Sequence, residues 1–67
     1  DYAFAYNNRG NALKSKGNVE EAIRDYTKAI ELKSDYAFAY NNRGNALKSK
    51  GNVEEAIRDY TKAIELK

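Results

Sequence analysis

Three asparagines close together, repeated once in the chain, are the side chains best suited to bind a ligand: Asn7, Asn8 and Asn11, and again Asn41, Asn42 and Asn45. An Asn amide carries a donor and an acceptor together, so it can pair with the N–H and the C=O of a peptide backbone without reading its sequence. Asn is also a poor helix former, at a cost of up to roughly 0.7 kcal/mol relative to Ala. Its recurrence within a helical pattern raises the question of what these amides bind.

Catalytic chemistry finds little support in the sequence. The chain has no Cys and no His, which excludes disulfides, thiolate metal sites, cysteine nucleophiles and the commonest general base. Glu20 and Glu21 are adjacent, and neighbouring residues on a helix diverge by about 100°, so the two carboxylates cannot converge on one bond. We expect instead surface pairs of Glu20 with Arg24 and of Asp25 with Lys28. The sequence predicts no enzyme activity, no cofactor and no metal site.

Length and charge limit the other functional classes. With 67 residues, 42% of them hydrophobic, the chain has material for one small core. Its twelve basic and ten acidic residues are interspersed and leave a net charge of +2, which gives no electrostatic footprint for a nucleic-acid partner. No apolar run approaches a membrane span and no signal segment opens the chain. We expect a soluble protein with no membrane partner, and its compartment is not encoded.

The elements that must position the asparagines come from an internal repeat. Residues 1–33 are identical to residues 35–67, with Ser34 between the copies, so the period is 34 residues. Periods of this length indicate solenoids, in which each unit covers an apolar face of the next. We expect one domain over residues 1–67, with repeat one at 1–34 and repeat two at 35–67. The 67 residues are equally compatible with a segment of a longer array.

The identity of the copies extends to solvent-facing positions such as Lys14 and Glu31. Natural repeats drift at such positions, because substitutions there usually change stability by only about 0.5 kcal/mol. An engineered or idealised array is therefore favoured, with a recent tandem duplication as the alternative.

Each repeat has the spacing of two amphipathic helices. In the first helix the packed face includes Tyr6, Gly10 and Leu13, and in the second it comprises Val19, Ala22, Ile23, Tyr26, Ala29 and Ile30. Together the two helices predict a helical hairpin.

The ends of these helices also carry signals. Gly17 is expected to end the first helix in the left-handed conformation, and Asn18 to cap the second helix, with Glu21 completing a capping box. Asp1 and Asp35 are the expected N-caps of the first helices of the two repeats.

The link between repeats leaves two arrangements open. The chain has no Pro, so the segment around Ser34 could continue as one helix from Glu31 to Asn45 and open the stack of hairpins. The alternative is a break at this point, which keeps the hairpins packed.

The pattern of small and large residues resembles the tetratricopeptide repeat, a 34-residue helix-turn-helix unit. The matching positions are Tyr6, Gly10, Leu13, Gly17, Ala22, Tyr26 and Ala29, and again Tyr40, Gly44, Leu47, Gly51, Ala56, Tyr60 and Ala63. The resemblance implies an all-α fold, a right-handed α-α superhelix of two antiparallel helical hairpins with four helices.

Packing roles follow for the small residues. Gly10 and Ala22 would let the two helices of a repeat approach closely, and Ala29 would leave room for the next repeat, so larger side chains there should overpack the interface. The sequence departs from the family where Arg9 replaces a usual Leu and Ser34 a usual Pro. We expect Arg9 to pack its aliphatic stem and extend its guanidinium into water.

The resemblance also implies a protein-interaction scaffold. In this family the first helices of successive repeats line a concave face that holds extended peptides. The stripe opposite the packed face supplies the predicted peptide-binding residues, which are Asn7, Asn8, Asn11, Lys14, Asn41, Asn42, Asn45 and Lys48. Asn8 and Asn42 match the positions of an asparagine ladder, whereas Asn7 replaces a Lys of the family's carboxylate clamp, so no full clamp is expected. The alternative is that these asparagines only solvate the surface.

A competing hypothesis is a structural unit that binds further copies of itself. The stripe around Tyr60 and Ile64 is the surface that residues 2–13 of another copy would cover. Such a head-to-tail contact is heterologous and need not close, so it predicts continuous stacks. Phe38 is expected to pack against the second helix of repeat one.

Overall fold

The computed structural model describes residues 1–66 and contains, over that range, four α-helices. They are α1 (Tyr2–Ser15), α2 (Val19–Leu32), α3 (Ala37–Ser49) and α4 (Val53–Glu65). α1 packs against α2 and α3 against α4, and α2 packs against α3 to join the two hairpins. The predicted all-α fold of two helical hairpins is confirmed. None of these helices has the length and apolar character needed to cross a bilayer.

The turn within each hairpin depends on one glycine. Gly17 has φ +92°, in the left-handed region that residues with a Cβ rarely adopt. The N–H of Gly17 donates to the carbonyl of Lys14 at 2.9 Å, and the N–H of Asn18 donates to that of Leu13 at 2.8 Å. These two bonds satisfy carbonyls at the end of α1. The predicted glycine stop is confirmed, and Gly51 repeats it with the same φ.

The capping predictions were only partly right. Asp1 caps α1, because its Oδ1 accepts from the N–H of Ala3 at 2.9 Å. Asn18 occupies the N-cap position of α2, but its side chain makes no capping hydrogen bond, so the predicted capping box is wrong. Its backbone is held by the closing bond to Leu13, and ψ of 68° lies outside the extended values that aim an N-cap side chain at the helix amides.

The link between hairpins is a break. Lys33 is extended, with φ −147° and ψ 90°, so a continuous helix from Glu31 to Asn45 does not form. The prediction that Asp35 caps α3 is wrong, because Tyr36 holds that position. Asp35 lies one residue too early, in the turn closed by Tyr36 N–H to Lys33 C=O, and its carboxylate accepts from Lys33 Nζ at 3.2 Å.

Small residues form the contacts between helices. Ala3, Ala29 and Ala39, one from each of α1, α2 and α3, make a fully buried cluster. A second cluster contains Ala22, Tyr26 and Ala46, surrounded by Leu13, Val19 and Ile23. The repeats therefore meet through alanines that let three helices approach, and the first helices are brought side by side.

Gly10 lies at a close approach between the two helices of repeat one. A Cβ at Gly10 would lie 2.6 Å from Cε1 of Tyr26, a distance that real Cβ contacts do not reach. Gly44 stands in the same relation to Tyr60, at 2.8 Å. Glycine at these positions leaves space for the tyrosine ring.

Candidate functional site

The groove between the first helices α1 and α3 is a cleft of about 380 Å³. It is lined by Asn11, Lys14, Ser15, Tyr26, Asn42 and Asn45. Four of the predicted peptide-binding residues, Asn11, Lys14, Asn42 and Asn45, are thus brought together in one place. Residues of both repeats are needed to build it.

Tyrosine hydroxyls orient two of these amides. Tyr26 Oη donates to Asn11 Oδ1 at 2.7 Å, and Tyr60 Oη donates to Asn45 Oδ1 in the same way. With the oxygens engaged, the NH2 groups are the parts of Asn11 and Asn45 best placed to donate to a ligand. Burial, and to a smaller extent the charge of Asp25, raises the pKa of Tyr26, so its hydroxyl stays a donor at neutral pH.

Asn42 and Asn7 connect the two first helices. Asn42 Nδ2 donates to Asn7 Oδ1 at 3.0 Å, and Asn7 is only 5% exposed. The structure therefore places Asn7 in the interface between repeats rather than on the open groove. Asn41, the same residue in repeat two, is exposed in the described structure. Asn8 is also exposed and lies outside the groove lining.

A bidentate ion pair closes each hairpin. Arg9 donates to Asp25 from Nε at 2.6 Å and from Nη2 at 3.0 Å, and Arg43 contacts Asp59 at 2.7 and 2.9 Å. The hydrogen bonds that the two guanidinium groups donate to the buried carboxylates raise the pKa of both arginines. Arg9 is 66% exposed, as expected of a guanidinium that reaches water, but it also pairs with Asp25. The expected pair of Asp25 with Lys28 was wrong, because the Asp25 carboxylate accepts from Arg9 instead. In the sequence the only sign of this pair is that Arg and Asp lie sixteen residues apart in both repeats. That spacing predicts a contact only once the hairpin geometry is known.

Further polar contacts cross from repeat one to repeat two. Arg43 Nη1 donates to Thr27 Oγ1 at 3.2 Å. Lys50 Nζ lies 2.7 Å from Glu20 Oε2, and this contact lowers the pKa of Glu20. Glu20 therefore pairs with Lys50 of the next repeat and not, as expected, with Arg24. Together with the Asn7–Asn42 bond these contacts fix the register between repeats.

The two ends of the molecule expose the surfaces that are covered at this internal interface. At the first end, the head, Tyr2 is 81% exposed, although its counterpart Tyr36 is partly buried. At the other end, the tail, Ile64 is 68% exposed, while Ile30 packs against a core cluster. The tail carries an apolar cleft of about 480 Å³ lined by Ala37, Phe38, Asn41, Tyr60, Ala63 and Ile64.

The aromatic ring of Phe38 belongs to this tail surface. It is 73% exposed and contacts Tyr36 edge-on, so the prediction that it packs against the second helix of repeat one is wrong. Phe4, its counterpart, is in closer edge contact with Tyr36, at 5.2 Å between ring centres. Phe4 therefore faces repeat two, whereas Phe38 is exposed at the tail of the described structure.

Metal-binding chemistry is not seen in the part of the chain that the structure describes. Across residues 1–66, no three acidic side chains come together in a group that could hold a metal ion. The groove itself offers amides, hydroxyls and one ammonium group, which suit hydrogen bonding to a polar ligand.

Comparison with known proteins agrees with this architecture. The family model described as "TPR repeat" matches residues 10–51, and the one described as "Tetratricopeptide repeat" matches residues 37–67. Among solved structures, the crystal structure of MamA is similar to this chain with a TM-score of 0.93 and 37% sequence identity. The similarity covers 97% of this chain and 38% of the MamA chain. No curated protein sequence matches significantly.

The family matches agree with the fold, in which small residues let the helices pack closely. One family model alone covers more than half of the chain, and the similar solved structure has the same arrangement of hairpins over nearly all of it. The chain belongs to the tetratricopeptide repeat family.

Proposed function

We propose that this chain, as a member of a family whose repeats mediate protein–protein interactions, binds an extended peptide segment in the groove between α1 and α3. The observation that carries the proposal is the orientation of Asn11 and Asn45 by tyrosine hydroxyls. Two NH2 groups held in this way favour carbonyl or carboxylate oxygens as partners. Lys14 adds a positive charge, so a segment with acidic side chains fits best.

Asn42 supplies the complementary half of a backbone pairing. One hydrogen of its NH2 group bonds to Asn7, which leaves its Oδ1 as an acceptor. A peptide backbone crossing the groove can donate an N–H to Asn42 and accept from Asn11 and Asn45. This pairing is independent of peptide sequence, and Lys14 adds the preference for acidic residues.

The test is an NMR titration of dilute protein with the capped peptide Ac-Ser-Glu-Ser-Glu-Ser-Glu-Ser-NH2. Loss of one hydrogen bond in Asn45→Ala should weaken binding by about 2- to 12-fold, which corresponds to about 0.5–1.5 kcal/mol. Asn52→Ala is the matched control, because this Asn makes no side-chain capping bond and lies outside the groove. Equal affinity of both variants would contradict the groove proposal.

We also propose head-to-tail stacking of copies. It is favoured because the residues exposed at each end are identical to those that meet at the internal interface. On the head, Ala5 and Ala12 are exposed, whereas their counterparts Ala39 and Ala46 are fully buried. A second copy seated on the tail would bury these alanines as α3 buries its own. Because the contact does not close, it extends to stacks.

The polar contacts of the internal interface also have counterparts at such a junction. Asn8 would donate to Asn41 of the preceding copy, Arg9 would contact Thr61, and Lys16 would pair with Glu54. Each of these pairs has the same two residue types as a contact at the internal interface, where the polar atoms lie within 3.2 Å of each other. The head and the tail are therefore complementary in charge and hydrogen bonding as well as in shape.

Sedimentation equilibrium over a concentration series tests the stacking. Ala5→Glu introduces a charge where Ala39 is fully buried, so the concentration-dependent mass of the parent protein should disappear. The variant should fold normally, because Ala5 is exposed in the single chain. Ser34→Glu adds the same charge on the exposed linker and should stack like the parent. A parent protein that stays monomeric at high concentration would contradict the proposal.

A further inference from the structure

We infer that the peptide groove is rebuilt at each junction between stacked copies, so that peptide binding and head-to-tail assembly strengthen each other. The inference rests on both proposals above and adds a link between them. Its basis is that the internal groove is shared between two repeats, while each end of the chain carries one part of the same set of residues.

The internal groove takes Asn11, Lys14, Ser15 and Tyr26 from repeat one and Asn42 and Asn45 from repeat two. The corresponding residues for a junction groove are present at opposite ends of the chain. The tail supplies Asn45, Lys48, Ser49 and Tyr60, and the head of the next copy supplies Asn8 and Asn11. Within residues 1–66 there is therefore one complete groove, and each end of the described structure carries part of the same set of residues.

Asn8 distinguishes the two situations. In a single chain it is exposed and does not line the groove. At a junction it takes the place of Asn42, which both lines the groove and donates to a buried asparagine. The residue that matches a ladder position in repeat one thus becomes a ligand-binding residue only when another copy precedes it.

Neighbouring grooves are close enough for one peptide to cover. Packed helices lie about 8–10 Å apart, and an extended chain rises about 3.3 Å per residue, so about three peptide residues span one groove. Asn45 belongs to the internal groove and to the junction groove, and its two N–H hydrogens can serve both. A peptide of about seven residues therefore crosses the internal groove and the junction.

The size of the link follows from mass action. A ligand that binds a site present only in the stacked form strengthens stacking by the factor 1 + [L]/Kd. At a peptide concentration ten times its Kd for the junction groove, which the separate chains lack, the junction should become about tenfold tighter.

The experiment uses two variants that can form one junction only. Ala5→Glu blocks the head and Ile64→Glu blocks the tail, so each alone should be monomeric, and an equimolar mixture should give pairs through the free tail of the first and the free head of the second. The Kd of the pair is measured by sedimentation with and without the capped seven-residue Ser/Glu peptide. We expect the peptide to lower this Kd about tenfold or more.

Two further substitutions distinguish loss of the junction groove from weakening of the pair itself. Asn8→Ala in the tail-blocked copy should abolish the effect of the peptide on the pair. Asn41→Ala in the head-blocked copy removes the other partner of the same hydrogen bond, but its counterpart Asn7 lies under the interface and not in the groove. It should weaken the pair to a similar extent and keep the peptide effect.

The outcomes are distinct. Failure of the two variants to pair contradicts the stacking proposal. Failure of the peptide to bind either monomeric variant contradicts the groove proposal. Each of these results also contradicts the inference. If pairing and peptide binding both occur but the peptide leaves the Kd of the pair unchanged, or raises it, the inference alone is overturned.

Discussion

Because the repeats are identical, the same substitution can be made in two environments. The most informative comparison is between Gly10→Ala and Gly44→Ala. In repeat one the new Cβ would lie 2.6 Å from Cε1 and 2.9 Å from Cδ1 of Tyr26. That ring is 1% exposed and is held by a hydrogen bond to Asn11, so it has little room to move. In repeat two the distances to Tyr60 are 2.8 and 3.0 Å, and the ring borders the exposed tail.

Two opposing terms determine the outcome. Replacing Gly by Ala within a helix favours folding by about 0.5–1 kcal/mol, whereas overpacking a rigid site costs about 1–3 kcal/mol. Gly10→Ala should therefore lower the free energy of unfolding by up to about 2 kcal/mol. Gly44→Ala should change it little or raise it by up to about 1 kcal/mol, because Tyr60 can shift towards solvent.

Urea and thermal unfolding followed by circular dichroism at low protein concentration measure the difference. For a domain of this size, 1 kcal/mol corresponds to about 4–8 °C in Tm, so the two variants should differ by roughly 5–15 °C. Gly17→Ala serves as a second reference, since its Cβ would meet nothing and its cost comes only from the φ of +92°. Equal stabilities of Gly10→Ala and Gly44→Ala would refute the reasoning that the next repeat immobilises the ring.

Three further predictions use the same comparison between repeats. Arg43→Ala should lower Tm more than Arg9→Ala, because Arg43 also contacts Thr27 and its side chain is 21% exposed against 66% for Arg9; thermal melts of both variants test this. The Lys50 contact lowers the pKa of Glu20 from that of a free Glu side chain, so the stabilising effect of the pair is present above the ordinary Glu pKa and is lost as pH falls through the lowered value. Glu20→Gln should therefore reduce the loss of stability on acidification in urea titrations between pH 6 and pH 3, and an unchanged slope would contradict the role of the pair. Tyr26→Phe should cost about 1 kcal/mol of stability and also weaken binding of the Ser/Glu peptide, because Asn11 loses the donor that orients it; NMR titration should show the loss, and undiminished affinity would contradict the orienting role.

The sequence was sufficient for features that depend on residues close together in the chain. The periods of the apolar residues located four helices, Gly17 located the turn, and Asp1 located a cap. Each of these is decided by local backbone chemistry that is the same wherever the segment occurs.

Predictions failed where the outcome depends on a partner from another helix. Asp25 was assigned to a neighbour on its own helix, but the hairpin brings Arg9 to it with better, bidentate geometry. Asn18 was assigned a capping bond, but the closing bond of the preceding turn fixes its backbone first. Local propensity loses in these cases because a buried charge or a tight turn has stronger requirements than an exposed helix surface.

Local sequence also cannot predict the burial of a residue when two identical segments differ in their neighbours. Asn7 and Asn41 share all their sequence neighbours, yet the first is buried under Asn42 and the second is exposed at the tail. Within the described structure, the difference arises because repeat two packs over Asn7. If a second copy takes that position, Asn41 becomes the equivalent of Asn7 and Asn8 that of Asn42. In the proposed stacks, the role of each asparagine therefore depends on the junction on which it lies, and the proposed binding surface would grow with the number of junctions.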